Sequence, residues 1–244
     1  MSVIVIGDRA VGKTSMVYAL TDPREQERVS VEQGPDYTAG VAPTDQLNPG
    51  TLTMVVDLPV PRQIQVQWFD TPGEAFTNRQ WRKEKSVAWD AIKQKMSQSR
   101  YIVLLLPPDR NSVNPQRLDD SKETLDDFQT PEIWERRVIE WLNFIDQECS
   151  AAKHILICLN KADLLCDIEV ERQKWLYKTS GFSWADYSDH VLKCYFKGVE
   201  EKAKQYISKK RSRLITFFIT TNKNRTLLEL PWLYIGSFET SKVS

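Results

Sequence analysis

Residues 7–15 read Gly-Asp-Arg-Ala-Val-Gly-Lys-Thr-Ser, directly after an apolar, β-rich run at 3–6 and at the opening of a helical pattern over 13–20. A strand that turns through a glycine-flanked loop into a helix commits the chain to an α/β layout from its opening segment. In that setting the G-x-x-x-x-G-K-[ST] pattern has a physical meaning. Backbone N–H groups of such a loop point inward and, with the helix N-terminus, form a nest for anions such as phosphates. Gly7 and Gly12 leave room where a side chain would collide with a phosphate, and Asp8, Arg9, Ala10 and Val11 carry the loop between them. Lys13 adds a mobile positive charge. Thr14 offers a hydroxyl to Mg²⁺, with Ser15 following in the same first turn.

The rest of the chain alternates short apolar runs with longer helical patterns, as a sheet with helices on its faces requires. Asp22-Pro23 ends the first helix, and 21–50 reads as a long loop. The runs 52–58 and 64–69, around Pro59-Val60-Pro61, predict an antiparallel hairpin. A helix is expected over 76–98, with Trp81, Val87, Trp89, Ile92 and Met96 on its apolar side. A strand at 101–106 is closed by Pro107-Pro108. Residues 107–130 are polar and read as an insertion or mobile excursion. A helix at 132–148 carries Ile133, Trp134, Val138, Trp141, Leu142 and Ile145 at helical spacing. Strands at 154–159 and 214–220 flank two helical patterns, 168–178 and 186–211, separated by the turn at 180–183. About six strands result, within one domain spanning 1–244.

Two further motifs give the loop a ligand. Asn160-Lys161-Ala162-Asp163 directly follows the run 155–159. A carboxylate at Asp163 can accept from both the ring N–H and the exocyclic amine of guanine, donors that adenine does not offer in that arrangement. The Lys161 stem can cover the base, while Asn160 ties its loop back to the phosphate loop. Asp70-Thr71-Pro72-Gly73 closes the run 64–69. There Asp70 would hold Mg²⁺ through a water and the Gly73 N–H would sense a γ-phosphate, so that hydrolysis releases the segment beyond.

Composition narrows the alternatives. The 244 residues carry 33 basic and 33 acidic side chains, and no stretch resembles a nucleic-acid arm; Lys209, Lys210, Arg211 and Arg213 form one dense basic run that reads as solvated surface. Cys149, Cys158, Cys166 and Cys194 show neither metal-ligand spacing nor a disulfide framework, and His154 and His190 have no Cys or His neighbour at ligand spacing. No run approaches the ~20 apolar residues of a membrane helix. The opening lacks a signal peptide's features, and Ser2 and the Lys-Val-Ser ending carry no lipidation signal. The expectation is a cytoplasmic protein without a membrane anchor.

With its three motifs in order over 7–163, the sequence resembles the Ras-like and translation-factor-related class of P-loop GTPases. The first motif is similar to that of Rab-type small GTPases, whereas Asp-Thr-Pro-Gly looks more bacterial; as a whole the chain resembles a prokaryotic small-GTPase-like domain, of the kind encoded beside regulatory or defence genes. The resemblance implies a Ras-like three-layer α/β sandwich, mostly parallel with one antiparallel strand, and sites at the strand C-termini. It also implies GTP and GDP as ligands with Mg²⁺, and a protein effector or regulator that reads segments 34–50 and 73–90. By the same resemblance, Thr38 (with Thr44 as rival) completes the Mg²⁺ shell. Thr221-Asn222-Lys223 stands for the loop that backs the base.

The pattern departs at three places. Glu74 stands where relatives place a water-orienting glutamine; it could position water, but its charge would repel the γ-phosphate, so slow hydrolysis is expected. Arg9 could act as an internal arginine finger, block a partner's finger, or point to solvent. The closing helix of the class is not evident in 224–244: Pro231 interrupts it, and 228–238 reads as irregular or strand-like. Either the chain is cut from a larger protein or the helices of 168–211 cover that face. Trp68, Trp81 and Trp89 are core residues or a partner face. The leading function is a guanine-nucleotide switch with slow turnover. The alternatives are a nucleotide-binding scaffold with negligible turnover and, disfavoured by Asn160 and Asp163, an ATP-dependent P-loop enzyme.

Overall fold

The computed structural model describes residues 2–20, 28–33, 47–57, 61–118, 123–177, 182–209 and 213–240. Its centre is β1 (Ser2–Gly7), whose Val3 to Ile6 side chains are fully buried on both faces, as in a parallel strand covered above and below. β2 (Val29–Gln33), β3 (Asn48–Asp57), β4 (Pro61–Asp70), β5 (Tyr101–Leu106), β6 (His154–Leu159) and β7 (Leu214–Ile219) complete a seven-stranded sheet of order β2-β3-β4-β1-β5-β6-β7. Only β3 runs against the rest, pairing antiparallel with both β2 and β4, while β4, β1, β5, β6 and β7 are parallel neighbours. The architecture is the expected α/β sandwich with one antiparallel strand, but with seven strands rather than six. The additional strand, β2, lies in the stretch expected to be loop. Five residues with only two apolar side chains give too short an alternation to separate from loop.

α1 (Lys13–Leu20) and α9 (Arg225–Thr240) pack together on one side, with α9 reaching across β2, β3 and β7. On the other side lie α4 (Ser86–Gln98) and α5 (Pro131–Glu148), α4 against β1 and α5 against α4. The expected helix over 76–98 is three pieces: α2 (Glu74–Thr77), α3 (Arg79–Glu84) and α4. Asn78 makes the break, leaving helical geometry and accepting hydrogen bonds from the Gln80 and Trp81 N–H groups as an N-cap. The broken periodicity reverses one assignment, for Val87 is 83% exposed while Trp81, Ile92 and Met96 are buried. Ile133, likewise placed on the apolar side of α5, is exposed. Trp68 and Trp81 are core, which removes them from any partner face; Trp89 is half-buried under Arg82.

The second helical pattern, 186–211, is α7 (Trp184–Tyr195) and α8 (Glu200–Lys209), parted by a 3₁₀ turn at Lys197–Val199; α6 (Ile168–Lys174) precedes them. α7 lies along β7, at the sheet edge, and feeds side chains to that strand's outward backbone. Ser188 Oγ accepts from the Phe217 N–H at 2.9 Å and Tyr187 Oη from the Ile219 N–H at 3.2 Å. An edge that would otherwise present open N–H groups is thereby satisfied from within.

The largest departure is α9. A 16-residue helix occupies the segment expected to be irregular, with Pro231 inside it. Leu227, Leu228, Leu230, Trp232, Leu233, Tyr234 and Ile235 are all buried, so no polar face marks the helical period. Burial on all sides holds the helix through the one backbone hydrogen bond that Pro231 removes. Asn224 caps its start, accepting from the Leu227 N–H. Arg225 and Glu229, one turn apart and both buried, pair at 2.7 Å. Glu229 also accepts from the Arg28 and Val29 N–H groups, and Arg225 donates to the Ala19, Leu20 and Val29 carbonyls. Burial pushes the Glu229 carboxyl's pKa up, against the pull of Arg225. This pair fastens the end of α1 and the start of β2 to the last helix.

Candidate functional site

The residues singled out in the sequence lie where parallel strands end: Gly7 closes β1, Asp70 closes β4, Asn160 follows β6 and Thr221 lies just past β7. The phosphate loop turns through left-handed geometry three times, at Gly7 (φ 152°), Ala10 (φ 63°) and Gly12 (φ 90°). Gly7 has a second constraint, from protein rather than phosphate: a Cβ there would lie 2.5 Å from the Leu105 carbonyl oxygen of β5. At Gly12 a Cβ would meet the Asn160 amide nitrogen at 2.5 Å. That amide donates to the Val11 carbonyl at 2.8 Å and its oxygen accepts from Thr220 Oγ1 at 3.1 Å, so Asn160 joins the phosphate loop to β7.

Lys13 is buried, its ammonium donating to the Gly7 and Asp8 carbonyls at 2.9 and 2.8 Å. Burial pulls its pKa down to about 8, against the attraction of Asp70 and Asp8. Thr14 Oγ1 donates to Asp70 Oδ2 at 3.0 Å, and Asp70 is fully buried. A hydroxyl and a carboxylate from α1 and the end of β4 thus converge beside the loop. This pair of hard oxygen donors suits Mg²⁺ sharing phosphate oxygens and waters. Thr71 Oγ1 donates to the Val5 carbonyl at 2.7 Å, pinning the motif to β1. Thr38 and Thr44 lie outside the described residues, as does most of the segment 34–50.

Gly73 rests directly on the phosphate loop; a Cβ would come within 2.6 Å of the Arg9 backbone. The next residue closes the contact through its side chain, with Arg9 Nη1 2.9 Å from Glu74 Oε1. The two departures from the family pattern therefore meet. Asp8 faces the other way and takes a two-pronged hydrogen bond from Arg137 of α5, Nε at 2.9 Å from Oδ2 and Nη2 on Oδ1. The bond to Asp8 holds the Arg137 pKa above its ordinary value, and its guanidinium lies over the Trp141 ring. Nothing local in the sequence marks Arg137, since it is one charged residue among several on the polar side of a helix.

At the far end, Thr221 Oγ1 donates to Asp163 Oδ1 at 2.6 Å and Lys223 Nζ lies 2.8 Å from Oδ2. Lys161, in left-handed geometry at φ 61°, turns its ammonium to Glu123. One cavity of about 280 Å³ connects the two ends, lined by Ala10, Gly12 and Ser15 on the phosphate side and by Lys161, Asp163 and Asn222 on the other. Glu123 also lines it, and sequence reasoning missed that residue inside the polar excursion.

Two residues set aside earlier have other roles. His154 is buried, stacked on Tyr101 and bonded to Tyr234. His190, contrary to the sequence reading, does have a cysteine neighbour one helical turn away: Nδ1 lies 3.7 Å from Cys194 Sγ, and Nε2 3.1 Å from Glu171.

No family model and no curated protein matches the sequence. Among solved structures the chain is similar to the signal recognition particle receptor in an SRb-GTP/SRX complex from Chaetomium thermophilum, with TM-score 0.48, 14% identity and 97% of each chain covered. It is also similar to a bacterial selenocysteine-specific elongation factor, with TM-score 0.43 and 13% identity over 98% of this chain and 29% of that one. A third is the cytosolic domain of the T. maritima FeoB iron transporter in its GMPPNP form, with TM-score 0.42 and 14% identity over 97% and 63% of the two chains.

Proposed function

We propose that the protein binds GTP and GDP with Mg²⁺ and acts as a slow guanine-nucleotide switch for a protein partner. The observation that carries this is the shared cavity, which runs from the phosphate loop at Ala10 to Ser15 to the carboxylate of Asp163. In the proposed complex, phosphates displace the Gly7 and Asp8 carbonyls as partners of Lys13, and the loop N–H groups receive the remaining oxygens. Thr14 and Asp70 would hold Mg²⁺, which when bound neutralises phosphate charge. Asp163 would accept from guanine's two N–H donors, with Thr221 and Lys223 keeping the carboxylate aligned from behind and Asn222 beside the base.

The switch element of this reading is the Gly73–Glu74 junction. Gly73 lies against the Arg9 backbone and Glu74 pairs with the Arg9 side chain, so a γ-phosphate reaching for the Gly73 N–H would bear on both contacts. Segment 73–90 therefore feels the third phosphate directly, and a partner reading it would sense the nucleotide state.

A second reading, a nucleotide-binding scaffold with negligible turnover, is favoured by the Arg9–Glu74 pair itself. While each holds the other, neither is placed to act on water or on the γ-phosphate. Binding of Mg²⁺-GDP, GTP and ATP by calorimetry, followed by single-turnover phosphate release for wild type, Arg9→Ala and Glu74→Ala, decides among these. The switch predicts guanine preference and measurable release that one of the variants alters. Tight GTP binding without release leaves the scaffold, and ATP preference overturns both.

A further inference from the structure

The excursion between β5 and α5 is fastened to the base-reading loop. Arg117 Nη1 donates to the carbonyls of Asp163 and Cys166 at 3.2 and 2.7 Å, one within the 3₁₀ turn at Ala162–Leu164 and one just beyond it. The Asn114 N–H donates to the Leu164 carbonyl at 2.9 Å. Leu164 in turn completes a small apolar cluster with Val113, Leu118 and Phe128, separate from the main core. Above it, the Lys161 ammonium is gripped from the same excursion by the Glu123 carboxylate, and lies 5.5 Å from the centre of the Phe128 ring. Arg110 closes the stretch on itself, donating to the Phe128 carbonyl at 3.1 Å. An insertion serving only as a surface loop would not need its own apolar cluster, nor a guanidinium on the carbonyls of Asp163 and Cys166.

We propose that residues 107–118 and 123–130 form a bracket that positions the guanine-reading loop and slows nucleotide release, with Glu123 and Arg117 as its positioning residues. This rests on the guanine-binding reading above. Lys161 lies in left-handed geometry with a long, flexible stem. Tying its ammonium to Glu123 fixes the stem along the cavity wall before a base arrives, so ordering is not paid at the moment of binding. Arg117 does the same for the backbone that carries Asp163. Both act at the base end, Glu123 on the Lys161 ammonium and Arg117 on the Asp163 carbonyl.

Stopped-flow release of a fluorescent GDP analogue from Mg²⁺-loaded protein tests the bracket in wild type, Glu123→Ala, Glu123→Asp and Arg117→Gln. Release from Glu123→Ala and Arg117→Gln is expected to be about 5- to 10-fold faster, the scale of one ordinary intramolecular hydrogen bond. Glu123→Asp should recover most of the difference, and Tm without nucleotide should match wild type. If the wild type binds GDP but release is unchanged in both variants, the bracket is overturned and the guanine reading survives. Faster release accompanied by a Tm loss of several degrees in both variants, with no recovery by Asp, reduces the excursion to a packing element and also overturns it. No GDP binding by the wild type removes the functional reading, and the bracket with it.

Discussion

At the phosphate end of the cavity the lining is one continuous stretch, with Ala10, Gly12, Ser15 and Met16, two of them in left-handed backbone geometry. At the base end the wall is assembled from three stretches far apart in the chain: Glu123 from the excursion, 160–164 after β6 and 221–223 after β7. The first construction is local, so a short motif specifies it and the strand–helix junction supplies the dipole and the free N–H groups. The second is non-local, and each side chain is held by another that arrives from elsewhere. The loop's own conformation is thus written in a short stretch, even though Asn160 and Arg137 brace it from afar, whereas the base end does not exist until distant strands are side by side.

The contrast is sharpest for nucleotide selectivity. Replacing Lys13 with Met removes the charged donor at the phosphate end and should weaken GTP, ITP and ATP alike, by about 10³-fold. Calorimetric titration with the three nucleotides checks this; a loss confined to GTP would break the division between the two ends. Asp163→Asn should weaken GTP by about 10²-fold, because an amide N–H then faces guanine's donors, while xanthosine triphosphate, with an oxygen in place of the amine, gains. An equal loss for GTP and XTP would mean that Asp163 supports its loop rather than reads the base. Ala10→Gly is the smallest expected change. It relieves a left-handed alanine and should raise stability without nucleotide by about 1 kcal/mol in urea unfolding, leaving base preference untouched. Destabilisation by this variant would show that loop flexibility, not strain, dominates at the phosphate end.

The same contrast explains what could be read in advance. β1, α1 and β5 are visible in the sequence because glycine or proline bounds each, and β6 because it is a short apolar run ending at Asn160. The phosphate loop, Asp70 and Asn160 to Asp163 come with fixed spacing and can be found without a structure. α9 could not, because burial on all sides erases its period and Pro231 argues locally against a helix that tertiary packing sustains. Asn78 hid the break between α2 and α3, since a capping asparagine inside an apolar period looks like any polar residue. Arg137, Arg117 and Glu123 carry no local signature at all. Their partners lie 129, 46 and 38 residues away in sequence, and only the folded sheet brings them together.

The buried pair Arg225–Glu229 has a consequence in time rather than in space. The phosphate loop leaves the ribosome well before the side chains, some 200 residues downstream, that fasten the end of its helix and the start of β2. Until α9 has been synthesised and docked, Ala19, Leu20 and Val29 have no guanidinium to hold their carbonyls. A nascent chain therefore carries a loop whose surroundings stay unfinished until α9 has followed it.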